Sequence, residues 1–171
     1  MNKRYVLTVM AEDAPGLVQT ISSIVVLNDG NWLESRMCRL GGKFAGILQV
    51  LLPEEMETAF LGQLKQLEFR GIRCDVSIEN DAGGESERKV VALELLGTDR
   101  PGIVNTIAKA INALGINVEE LETTRYAAPM SGELLFKANA SLFIPEGCDV
   151  QSLRHALETI ANDLMVDISL D

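Results

Sequence analysis

Asp13-Ala14-Pro15-Gly16-Leu17-Val18 and Asp99-Arg100-Pro101-Gly102-Ile103-Val104 are two versions of one hexapeptide, and the spacing between them decides the fold. The offset is 86 residues, and it also aligns Thr20-Ile21 with Thr106-Ile107 and Asn31 with Asn117 without a gap. In a chain of 171 residues, an offset near half the length means two copies of one supersecondary unit. Residues 80–87 are polar and Gly-rich, as a boundary should be. The expected organisation is a first domain over 1–80, a linker over 81–87 and a second domain over 88–171.

Working outward from the first hexapeptide, residues 5–10 are apolar and β-prone until Asp13-Ala14-Pro15-Gly16 interrupts them. Pro15 suits the first turn of a helix, where its missing N–H has no partner to lose. Leu17, Ile21, Ile24 and Val25 then recur at helical spacing, until Asn28-Asp29-Gly30 stops them. Residues 31–40 and 43–52 flank Gly41-Gly42, a hairpin signal. After Pro53-Glu54-Glu55, Phe60, Leu64 and Leu67 mark a second helix that ends at Gly71, and residues 72–79 read as a strand. The second half repeats this order: strand 90–96, helix 101–114, strands 116–125 and 133–144, helix 149–163, strand 165–170.

Each half therefore reads βαββαβ, predicting an α+β protein of two tandem domains, each an antiparallel sheet with its helices on one face. The first and third strands, nearly continuous in apolar residues, belong at the sheet centre; the more charged second and fourth belong at its edges. The third strands differ. Leu135, Lys137, Asn139 and Ser141 alternate with apolar residues and predict a wet outer face. Residues 44–52 have hardly any polar face, which predicts a partner surface over the open side of the first sheet.

Bulk properties exclude several functions. With a net charge of −10 and pI ≈ 4.6, the chain is repelled by phosphate backbones, so direct nucleic-acid binding is not expected. Met1-Asn2-Lys3-Arg4 precedes an apolar run, but that run ends at Glu12-Asp13 without a cleavage signal and reads as a strand. No stretch approaches the roughly 20 apolar residues of a membrane helix. Cys38, Cys74 and Cys148 are scattered and His155 is the sole histidine, so no metal cluster and no nucleophile–base arrangement is visible. The expectation is a cytoplasmic, non-catalytic protein without a cofactor.

The Asp-x-Pro-Gly turns carry the candidate chemistry. A helix begins there with unpaired backbone N–H groups at its positive end, suited to a carboxylate or other anion. Gly16 and Gly102 leave room for close approach, so Gly102→Val is expected to fill that space and abolish binding with the fold largely intact. Asp13 and Asp99 can either cap the helix or accept from a ligand amine. Asn31 and Asn117 open the next strand, which could run beside the turn and offer an amide. Arg100 has Ala14 as its counterpart; its guanidinium serves either a ligand or a surface ion pair.

Asp99-Arg100-Pro101-Gly102-Ile103-Val104 followed by Gly115-Ile116-Asn117-Val118 resembles the signature of ACT domains, ferredoxin-like modules that typically bind amino acids between paired domains. A tandem pair with little else resembles the glycine cleavage system transcriptional repressor family. The resemblance implies ligand contacts at Asp13, Gly16, Leu17 and Asn31, and at Asp99, Gly102, Ile103 and Asn117. It further implies a sensor of a small amino acid, glycine first, signalling to a transcription activator by protein contact, in a homo-oligomer. The alternative is a structural, oligomerising protein with vestigial sites.

Overall fold

The computed structural model describes residues 1–79 and 89–171; the expected linker, 81–87, lies outside them. The chain divides into two compact units, Met1–Ala82 and Gly83–Asp171.

The first unit runs β1 (Asn2–Glu12), α1 (Leu17–Leu27), β2 (Asn31–Leu40), β3 (Lys43–Pro53), a 3-10 turn at Glu54–Met56, α2 (Glu57–Gln66), a second 3-10 turn at Leu67–Arg70 and β4 (Ile72–Ile78). The second runs β5 (Lys89–Thr98), α3 (Ile103–Ala113), β6 (Asn117–Ala127), β7 (Leu134–Ile144), α4 (Val150–Leu164) and β8 (Val166–Leu170). The sheets have strand orders β2-β3-β1-β4 and β6-β7-β5-β8, antiparallel at every pairing. The apolar first and third strands are central and the charged ones peripheral, as their composition predicts.

Burial follows the period of the strands. Tyr5, Leu7, Val9 and Ala11 alternate inward along β1, and Leu48, Val50 and Leu52 along β3. They pack with Ile21, Ile24 and Val25 of α1 and Phe60 and Leu64 of α2 into one core. Leu93, Leu95, Leu142, Ile103, Ile107, Leu153 and Leu157 belong to the corresponding core of the second unit. One sheet face in each unit is therefore covered by helices.

Turn chemistry sets the joints. Gly41 and Gly42 both hold positive φ, 57° and 79°, as a two-residue hairpin needs. In the second unit residues 128–133 separate β6 from β7, a longer connection. Asn28, fully buried, ends α1 and donates from Nδ2 to the Ile24 carbonyl at 2.7 Å and to Gln63 Oε1 at 2.9 Å, tying α1 to α2.

On the open face of the first sheet Ile47 is 55% exposed and Met10 43%. That face also carries Gln49, which donates to Glu79 at 2.7 Å, so the apolar run has a polar member at its centre. The second sheet presents Lys137, Asn139 and Ser141 outward, opposite Leu96, Glu94 and Ala92 of β5. Among the described residues no helix is long and apolar enough to cross a membrane, and no group of metal-ligating side chains assembles.

Candidate functional site

In both units the chain leaves the first strand through the Asp-x-Pro-Gly turn and enters a helix one residue after the glycine. Gly16 and Gly102 are the N-cap residues, with φ of +88° and +89°. Pro15 and Pro101 stand in the turn ahead of the helix, not in its first turn as the sequence suggested. The left-handed glycine makes the bend into the helix axis, and proline with φ near −65° cannot follow the bend. A Cβ on either glycine would meet nothing within 4 Å. The conformation therefore demands glycine, and the space above each helix end is open.

Neither α1 nor α3 receives a side-chain cap. The contrast is α4, whose N-cap Asp149 accepts from the Gln151 and Ser152 amides at 3.0 and 3.2 Å. The chain thus closes one helix end with its own carboxylate and leaves the two ends in its repeated motif free of one. Asp149→Ala should lower stability by about 1 kcal/mol, read as a shifted urea midpoint with unchanged slope.

Asp13 and Asp99 do not cap. Asp13 Oδ2 accepts from Arg39 Nε, and Asp99 Oδ2 accepts from Arg125 Nη1 at 3.4 Å. These arginines lie on edge strands β2 and β6, 26 residues beyond their aspartates in each half. Sequence reasoning overlooked them although the signal was present: the 86-residue offset that aligns the aspartates also aligns Arg39 with Arg125. Each helix end is consequently flanked by a carboxylate and a guanidinium in contact. Both aspartate side chains remain about a third exposed.

The asparagines are placed differently. Asn31 sits opposite Leu51, and Leu51 opposite Arg4. Arg4 is nine residues from Asp13 along the chain, about 30 Å at 3.3 Å per strand residue. Asn117, opposite Phe143 and so level with Val90, repeats the arrangement. The expectation that this strand runs beside the turn with its asparagine there is corrected: β2 is parallel to β1 across β3, so it starts at the sheet end remote from the turn. Its other end brings Arg39 to the turn.

Leu17 is half-buried and Ile103 buried, so both turn their side chains toward the core. Ile103 N–H reaches the Arg100 carbonyl only at 3.4 Å. Arg100 is half-buried and forms no ion pair among the described residues. Away from the turns, His155 is exposed on α4. Cys38 is exposed and Cys74 and Cys148 half-buried, all as free thiols; burial pushes the Cys74 thiol up to about 11, which suppresses its reactivity.

Residues 3–80 match the ACT-domain family model. No curated protein matches the chain. Among solved structures, an unknown protein from Galdieria sulphuraria superposes over the whole of this chain and 98% of its own, with a TM-score of 0.86 at 26% identity. A candidate glycine cleavage system transcriptional repressor superposes over the whole of this chain and 97% of its own, with a TM-score of 0.70 at 16% identity. At that identity the second likeness is one of fold. The chain is a tandem pair of ferredoxin-like βαββαβ domains, and residues 3–80, the first of the pair, are similar to the ACT-domain family.

Proposed function

We propose that the chain is a non-catalytic cytoplasmic sensor whose β1–α1 and β5–α3 turns bind the head group of a small amino acid, glycine being the first to test. The observation that carries this reading is the pairing, in both halves, of a helix N-terminus without a side-chain cap with an Asp–Arg contact. A ligand carboxylate would take the amides and the arginine, and the ammonium group would take the aspartate. Arg100 adds a cation to the second turn that Ala14 does not add to the first.

Asn31 and Asn117 remain ligand contacts in this proposal, but contributed to the turn of a second copy. A residue about 30 Å from the turn of its own sheet cannot reach that turn, and this reading takes it from a second copy laid alongside. Binding would then favour one oligomeric arrangement, as a ligand must if it is to signal. The acidic chain would pass that state to a transcription activator by protein contact; the repressor-named structural neighbour and the ACT-type fold support a regulatory role.

Calorimetric titration of the full chain with glycine and the other common amino acids tests the reading. Binding is expected, weakened at least about tenfold by Asp99→Ala or Arg125→Met, the loss of a charged hydrogen bond. Absence of heat and of any thermal shift across the whole panel would exclude it. A structural, oligomerising role, favoured by exposed Ile47, Met10 and Leu40, would then remain.

A further inference from the structure

The helix side of the second domain is not fully closed. Between α3 and the β6–β7 edge runs a groove lined by Ile103, Ile107, Val118, Leu121, Phe136 and Ala140 among others, with a volume of about 410 Å³ counted out to solvent and no polar surface on its wall. Leu121 is 54% exposed there.

The repeat explains why this groove is open. The 86-residue offset aligns Val118 with Trp32 and Thr123 with Met37, and the strand register sets Ala140 where the first domain has Leu48. Trp32 and Met37 are half-buried against the first core. Trp32, Met37 and Leu48 of the first domain are bulkier than Val118, Thr123 and Ala140, and at these three positions the second domain is left less filled.

One end of the groove is continuous with the charged turn. Ile103 follows Gly102 directly, and Phe136 lies opposite Arg125, the partner of Asp99. An apolar wall beginning at a carboxylate, a guanidinium and uncapped amides matches one molecule with a zwitterionic head and an apolar tail. We propose that the groove is the side-chain pocket of the second domain's site, selecting an α-amino acid with a branched aliphatic or aromatic side chain over glycine. The proposal rests on the head-group reading above and adds its specificity.

The test is titration of the full-length chain with glycine, L-leucine, L-phenylalanine and 3-methylbutan-1-ol, which has a comparable tail without the head. Burial of a leucine side chain should bring at least about tenfold tighter binding than glycine, and the alcohol should bind at least about tenfold more weakly than leucine. Val118→Trp and Thr123→Met install the first domain's own side chains. They should erase the leucine–glycine difference by bringing leucine affinity down to that of glycine.

Leucine and glycine binding equally to the parent would overturn the pocket and leave the head-group site standing, whereas no binding of any amino acid would remove the head-group site too. An alcohol as tight as leucine would overturn the amino-acid occupant. A sedimentation change in Val118→Trp without a change in ligand preference would assign the groove to a second copy and overturn the proposal. Should Val118→Trp fail to fold, the parent's leucine-to-glycine ratio and the milder Leu121→Ser, expected to narrow it, decide the matter.

Discussion

Phe60→Ala should cost the first domain about 3–5 kcal/mol. Phe60 is fully buried on α2, with its ring centroid 6.4 Å from that of Tyr5 on β1, so its removal leaves a cavity where helix and sheet meet. Against a typical domain stability of about 5–15 kcal/mol, that loss brings the first domain close to unfolding. Trp32, the chain's single tryptophan, packs against the same core and reports on this domain alone. Its fluorescence should lose its native signal at much lower urea in the variant. A midpoint within experimental error of the parent would mean that α2 does not hold the sheet as described.

Gly102→Val should lower the stability of the second domain by about 2–3 kcal/mol, because a β-branched residue is forced to a left-handed φ. For a domain of this size that is a fall of about 10–20 °C in Tm. The sequence suggested that this variant would lose binding with its fold intact; a φ of +89° makes it a stability variant first. Gly102→Asn, which tolerates the same backbone, should lose less than about 1 kcal/mol. Circular dichroism melts separate the two, and equal melting of Val and Asn variants would show that the helix does not start from a left-handed residue.

Most of the fold was legible from residue types at short range. Gly41-Gly42, Gly71 and the two Asp-x-Pro-Gly turns punctuate apolar runs whose period switches between 2 and 3.6, and the repeat read each element twice. Where the reading slipped, neighbouring rules competed. Proline before a helix is most often its first residue, but proline followed by a left-handed glycine is a turn that precedes it.

The site was legible only in part. Asp13, Gly16, Asp99 and Gly102 announce themselves within six residues, whereas Arg39 and Arg125 gain meaning only when the strand order carries the far end of β2 and β6 to the turn. Asn31 and Asn117 share the repeat offset but stand at the opposite end of the sheet, so recurrence alone could not say which residue meets the aspartate.

The sequence by itself determined the duplication, the βαββαβ order and the glycines at the helix starts, because periodicity and backbone preference act over a few neighbouring residues. Tertiary structure alone decided which arginine pairs with each aspartate, where the asparagines lie and that one groove stays open. Those outcomes depend on strand order, register and the volumes of side chains distant in the chain, which no local pattern encodes.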